Sequence, residues 1–416
     1  MATVVLVGTL DSKGTEYQYV KDCILRTGAE VLVIDCSLLS KPYFTPEISA
    51  EEVAQAAGVT LGEIQFESEG NGARDRAVAT MSNGVAALLK KLHTEGKLHA
   101  VMGLGGGGGT NMLAPAMRAL PIGVPKMIVS TIMAGNIRSL VAGSDITMMN
   151  AVTDISGVNR ISKKILANAS FAAAGMAMQF EKNKESPSDK PLVAITMYGV
   201  TTKGVLQVRE KLEQKGFEVV CFHSNGTGGF TMEKMVEDGI IDGVIDYTTA
   251  ELTAHYAHGK GDGGDDRLLR NAKSGIPWVA VPGALELSNY YCPEDIPPKF
   301  RGKERRMLSH NANTFQVRML SEDFKVIGKL WAERVSMSKG PVTVLFPKLG
   351  LEACNEPGGV WYAPEEDAVL FDTIRQNMRK DIPILEYDLH INSERFAELT
   401  VEAFMRNWDK LHNKKL

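Results

Sequence analysis

The chain has few cysteines for its 416 residues, and the five present (Cys23, Cys36, Cys221, Cys292 and Cys354) include no CxxC pair. Thiols scattered in this way exclude a disulfide scaffold and argue for a reduced, cytoplasmic protein. Charge of one sign is also lacking: 46 Lys and Arg stand against 50 Asp and Glu, a net charge of −4. No pull toward nucleic acid or an anionic membrane surface follows from that balance. The densest basic run, Arg301 to Arg306, is too short to change this. No apolar run is long enough to span a bilayer; the nearest, Ile165 to Phe180, is short, carries Asn and Ser, and reads as a closely packed helix in the core or at a subunit interface. The sequence enters a strand at once ("ATVVLVGT"), so no signal peptide is expected.

Catalytic signatures are equally sparse. There is no GxSxG elbow, and "HSNGTGG" at His223 to Gly229 has no evident nucleophile partner. His255 and His258 form HxxH rather than HExxH, and with Asp262, Asp265 and Asp266 in "GKGDGGDD" they read as a surface loop, not a metal site. Glu365 and Glu366 are explained by a helix start.

Alternation is abundant. Short β-branched runs ("VVLVG", "EVLVID", "HAVMGL", "PKMIVS") are interleaved with helical patterns such as Glu16 to Arg26, the signature of a parallel sheet covered by helices. After a charged, proline-closed break the same grammar restarts. "VVLVGTLDSKG" is echoed by "AITMYGVTTKG", "LHAVMGLGGGGGT" by "IDGVIDYTTAEL", and "VPKMIVSTIMAGN" by "IPWVAVPGALELSN". "PVTVLFP" and "DIPILEYD" add two strands with a well-capped helix between them. The expectation is an α/β protein of two related, doubly wound, Rossmann-like lobes with mainly parallel sheets: residues 1–183, a linker at 184–191, and residues 192–416, with a cleft between the lobes.

In such sheets ligands bind beyond the carboxyl ends of the strands, where strand order reverses. "GLGGGGGT" lies at a strand end before a helix. The bare backbone of Gly105, Gly106, Gly107, Gly108 and Gly109 can turn N–H groups toward an anion, with Thr110 as helix cap. Neither standard fingerprint is complete. GxGxxG is satisfied, but the ribose-binding acid about 20 residues on is absent; Gly109 stands where a P-loop has its lysine. A cation must come from elsewhere, and "GTLDSKG" supplies Lys13, with Asp11 able to hold Mg²⁺ through water. Asp35 ends the second strand, where a ribose-binding acid commonly sits, and "STIMAGN", through Thr131 and Gly135, forms a third polar turn. The plainer alternative is that these are the tight turns any parallel sheet needs.

The set "GTLDSKG", "GLGGGGGT", "YGVTTKG", "GIPWVAVPGALELSNY", "SHNANTFQVR" and "EYDLHIN" covers nearly the whole chain in order. It resembles the family of the ATP-binding amino-terminal domain of the tomato mosaic virus resistance protein and its free-standing bacterial and fungal relatives. The resemblance implies two α/β domains, homodimerisation, and ATP with Mg²⁺ near Gly8, Thr9, Lys13, Gly105 to Thr110 and Thr131. It does not carry an antiviral role to this chain.

The second lobe lacks polyglycine but has polar turns and a crossing segment, "RGKERRMLSHNANTFQVR". Lys203, Thr248, Glu251, Glu286, Arg305, His310 and Asn311 are candidates for a small polar or anionic metabolite in the cleft, against a solvated rim as the alternative. Three functions remain open: an ATP-binding enzyme or sensor of that metabolite; a nucleotide-stabilised module without turnover; and a hydrolase, lyase or isomerase of a phosphorylated or carboxylated sugar acid.

Overall fold

The computed structural model describes residues 1–67, 72–133, 137–141, 143–183, 188–302 and 304–412. Its contacts divide into two units, Met1–Ser186 and Pro187–Leu416. Part of the expected linker, 184–187, lies outside the described residues, as does Gly135.

In the first unit, strands β1 (Thr3–Gly8), β2 (Glu30–Asp35), β3 (Ala100–Gly105), β4 (Lys126–Ser130) and β5 (Thr147–Asn150) form one parallel sheet in the order β2-β1-β3-β4-β5. Its central strands are continuous apolar runs because helices cover both faces. Val4 and Leu6 point to a core with helices Leu10–Leu25 and Ser162–Lys182. Val5 and Val7 point to the opposite core, under helices Ala73–Thr94 and Gly107–Arg118. The small-residue segment is the inner face of Ser162–Lys182. Leu166, Ala169, Ala173 and Ala177 recur at i, i+3 or i+4 and are buried against the sheet. Among the described residues no helix is long and apolar enough to cross a membrane.

The second unit has β6 (Leu192–Met197), β7 (Glu218–His223), β8 (Gly243–Thr248), β9 (Trp278–Gly283), β10 (Leu287–Tyr290), β11 (Met307–Asn311), β12 (Thr314–Arg318), β13 (Val342–Pro347) and β14 (Ile384–Tyr387). Six strands form a parallel sheet, β14-β13-β9-β8-β6-β7, and three an antiparallel one, β10-β12-β11. Counted from β6, the parallel strands follow the order of the first unit with one strand added. The three sequence echoes fall on β1 and β6, β3 and β8, and β4 and β9, equivalent positions in the two sheets. The segment expected to cross toward a ligand is instead the β11–β12 hairpin, its carboxyl end fixed by pairing with β10.

Candidate functional site

The chain leaves β1 for β2 on one side and returns to β3 on the other, so β1 and β3 flank the point where strand order reverses. Tyr17 fills the gap beneath it. Its hydroxyl donates toward the carbonyls of Val7 (2.6 Å) and Leu104 (3.0 Å) and accepts from the Leu104 N–H (2.9 Å). This ties the ends of the two strands together. Gly8 must be glycine here, since a Cβ would lie 2.0 Å from Tyr17 Cζ and Oη.

The glycine run is hardly a loop. Gly105 ends β3, Gly106 is the cap, and Gly107, Gly108 and Gly109 form the first turn of the 12-residue helix Gly107–Arg118. None of the five has positive φ, so left-handed geometry does not explain them. Space inside the protein explains little more. Among the described residues, added Cβ atoms at Gly106, Gly107, Gly108 and Gly109 would meet nothing closer than 3.6, 3.9, 3.6 and 3.7 Å, ordinary contact distances. The first-turn N–H groups of a helix have no partner within it, and among the described residues no side chain caps this one. Thr110, expected as the cap, lies four residues inside: it is fully buried, with its hydroxyl 2.7 Å from Ser130 Oγ.

Two neighbours complete the turn. The Thr131 N–H donates to the Gly105 carbonyl (3.3 Å), and Thr131 Oγ1 is the atom nearest a Gly106 Cβ. The other neighbour is Arg74, near the start of helix Ala73–Thr94, whose Nη2 is the atom nearest a Gly108 Cβ at 3.6 Å. Arg74 is exposed and among the described residues forms no ion pair. Nothing in the sequence pattern singles it out, because the 33 residues between it and Gly108 conceal the contact.

The "GTLDSKG" turn reaches the same edge of the sheet with its side chains already engaged. Thr9 Oγ1 lies 3.0 Å from Ser12 Oγ. Asp11 Oδ2 accepts from the N–H groups of Leu39 (3.1 Å) and Ser40 (3.3 Å). Lys13 Nζ donates to the Ile155 carbonyl. Asp35 is turned inward, 2% exposed, with Oδ1 accepting from the Leu10 N–H (3.1 Å), the Ser37 N–H (3.0 Å) and Ser37 Oγ (2.5 Å). Burial pushes its carboxyl above the usual range. Asp35 therefore anchors the start of helix Leu10–Leu25 and is not presented to a ribose.

In the second unit the expected ligand-facing groups separate into buried and exposed sets. Lys203, His310 and Asn311 are exposed. Thr248 is fully buried, its hydroxyl 2.7 Å from Thr201 Oγ1. Arg305 is 5% exposed and paired with Asp323 at 2.5 Å. Glu251 is fully buried: Oε1 accepts from the N–H groups of Gly226 (2.6 Å) and Gly229 (3.1 Å), at the start of helix Thr227–Glu237, and Oε2 meets Arg267 Nε (2.5 Å). Arg267 also binds Glu233 (2.7 Å) and Asp246 (2.5 Å). Thr248, Glu251 and Arg305 are thus structural, because each has a fixed polar partner where a ligand was expected. Glu286 is buried as well, beside Asn355. Among the described residues no three His, Cys, Asp or Glu side chains converge to hold a metal by themselves; His255 pairs instead with Asp262 (2.9 Å) and Asp265 (3.3 Å).

Comparison with known proteins places these features in a family. The N-terminal domain of an uncharacterised protein family (UPF0261) matches residues 2–182, and the C-terminal domain of the same family matches residues 190–408. A UPF0261 protein of Clostridium tetani is 39% identical over 98% of this chain and 99% of its own length. The ToMV resistance protein Tm-1(GCR237) of Solanum lycopersicum is 36% identical over 80% of this chain but only 44% of its own length. Among solved structures, the glycosyltransferase SsfS6 of Streptomyces sp. SF2575 aligns with a TM-score of 0.21 at 15% identity, over 68% of this chain and 82% of that one. At that score the strand order above, rather than the likeness, defines the fold.

Proposed function

The chain belongs to the UPF0261 family, and we propose that its first unit binds the phosphates of a nucleotide, ATP, at the glycine turn. One observation carries this reading. At the reversal of strand order, a helix begins with bare glycines, without a side-chain cap among the described residues, that neither backbone conformation nor packing by the described residues requires. Such a turn offers several N–H groups and the positive end of a helix dipole to an anion. Arg74 provides the cation that the missing P-loop lysine would have supplied, and a guanidinium suits phosphate oxygens. Thr131 adds a hydroxyl beside Gly106.

Mg²⁺ accompanies the nucleotide in this reading, with Asp11 beside the turn to hold its water shell. Asp35 has no part in it. The homodimer and a second, small polar or anionic ligand belong to the same proposal, with Lys203, His310 and Asn311 as the expected contact residues still open to solvent in the second unit.

Melting of the full chain with and without ATP and Mg²⁺ tests the reading. A ligand that binds only the native state raises the melting temperature. The expected result is a rise that Gly107→Val abolishes and Arg74→Ala diminishes. No rise at saturating ATP would sink the proposal.

A further inference from the structure

A second polar cluster lies at the carboxyl edge of the other sheet and has no counterpart in the nucleotide site. Glu286 follows β9 and Glu352 follows β13, neighbouring strands whose exit turns are joined by the Ala284 N–H donating to the Leu351 carbonyl (3.0 Å). Asn355 continues the second turn, its N–H bonded to the Glu352 carbonyl (2.9 Å). All three side chains are fully buried.

Charge does not balance here. Glu286, Glu352 and Asp367 are buried carboxylates, and Arg318 is the buried guanidinium beside them. Arg318 pairs through Nη2 with Asp367 Oδ1 (2.6 Å) and through Nε with the part-exposed Glu366 (3.0 Å), while its Nη1 is buried without a partner among the described residues. Asp367 Oδ2 accepts from Asn355 Nδ2 (2.9 Å). Arg318 lies beside Glu286 and Glu352 as well, yet one guanidinium cannot balance three buried carboxylates, and an uncompensated buried charge costs several kcal/mol. Hydrogen bonding shows the same deficit. Among the described residues, Glu286 Oε2, both carboxylate oxygens of Glu352 and Asn355 Oδ1 are buried without a partner at good hydrogen-bond geometry, the Cys354 N–H being the donor that lies toward Glu352.

We propose that Glu286, Glu352 and Asn355 form a binding site for a hard divalent cation of the Mg²⁺, Ca²⁺ or Mn²⁺ class. The unpartnered atoms of these three residues are all oxygens, the donor type such ions select, and two carboxylates match a double positive charge. Two carboxylates and an amide are fewer than the three acidic or imidazole side chains of a self-sufficient cage, so water and backbone carbonyls complete the shell, as is usual for these ions. The backbone supporting the ligands includes one costly conformation. Ala284 has φ 53°, an uncommon conformation for a residue with a side chain, while Gly350 at φ 142° is a position only glycine fits, with Asn355 O 1.9 Å from where its Cβ would stand. Strain of this kind persists where surrounding structure over-determines it, as at ligand clamps. Without a cation, burial pushes Glu352 up to about 7 and Glu286 well above the carboxylate range, so two protons are the competing way to neutralise the cluster.

The test uses the full chain, free of nucleotide and stripped with a chelator at mildly alkaline pH, then given MgCl₂, CaCl₂ or MnCl₂. Retained metal is measured by mass spectrometry and stability by melting. The wild type should retain one equivalent of at least one ion and melt higher with it. Glu352→Gln and Glu286→Gln should each weaken retention by at least the ~10-fold that loss of an outer-shell partner brings. Gly107→Val should not change it, which separates this ion from any metal carried by nucleotide. No retained metal and no melting shift, with a carboxylic-acid infrared band that Glu286→Gln removes, would overturn the site in favour of two protons. If the glutamine variants do not fold, wild-type retention and its response to chelator decide the question alone.

Discussion

The two parallel sheets share a strand order but treat their reversal points in opposite ways. At the first, the helix after β3 opens with bare glycines, no side-chain cap among the described residues and a solvent-exposed Arg74 alongside. At the second, the chain has filled the equivalent edge itself. Thr201 and Thr248 join their hydroxyls, and Glu251 lies on the N–H groups of Gly226 and Gly229 while its other oxygen meets Arg267. A carboxylate on a helix N-terminus is what an anionic ligand would otherwise be. The difference teaches that one topology can hold an anion from outside or supply its own.

Glu251→Ala should have the largest effect, because it makes the second edge resemble the first. It leaves two buried N–H groups and part of Arg267 uncompensated, and removing one partner of a buried ion pair costs about 3–5 kcal/mol. Urea unfolding should show that loss, with part of it recovered by added acetate; an unchanged midpoint would show that the self-filled edge contributes nothing.

Gly8→Ala comes next. The two units share this feature, since each places a buried tyrosine under its first glycine turn: Tyr17 beneath Gly8, and Tyr247, with its Oη 2.5 Å from an added Cβ, beneath Gly204. Forcing a methyl against Tyr17 should cost up to about 3 kcal/mol as an overpacked core does, read in the same unfolding assay. A neutral result would mean that Tyr17 swings away freely and does not tie β1 to β3.

The third prediction concerns pH. Burial pushes Glu233, on the Arg267 network, up to about 6 from an ordinary 4.5. Between those values the folded chain keeps a proton that the unfolded chain has released. Its contribution is therefore full below about 4.5 and lost as pH rises through about 6, on the order of 2 kcal/mol in all. Glu233→Gln should flatten the fall in stability across that window, and a slope equal to wild type contradicts the assignment.

Much of the fold was legible because strand, turn and helix signals recur in order, and the three echoes fall on equivalent strands. The direction in which turn residues face was not legible. Thr248, Glu251 and Arg305 have the composition of a polar rim, yet each finds a partner supplied from a distant part of the chain: Thr201, the Gly226 turn with Arg267, and Asp323. Asp35 sits where a ribose-binding acid would, but the Leu10 N–H takes its place. Thr110 looked like a cap because hydroxyls favour that position, while the helix had already begun at Gly107. Arg74, and the pairing of Glu286 with Glu352, depend on contacts made only when the sheets assemble.

The smallest change in stability bears most directly on the central claim, that Gly106 to Gly109 are bare for a ligand and not for the fold. Gly108→Ala places a methyl between the first helical turn and Arg74, at an ordinary contact distance of 3.6 Å from Arg74 Nη2. With ordinary φ at this site, alanine should stabilise the ligand-free chain by about 0.5–1 kcal/mol. Melting curves with and without ATP and Mg²⁺ should show a higher melting temperature for the free variant and a reduced rise on adding nucleotide. A destabilised free variant, or an ATP-induced rise equal to wild type, would contradict the account.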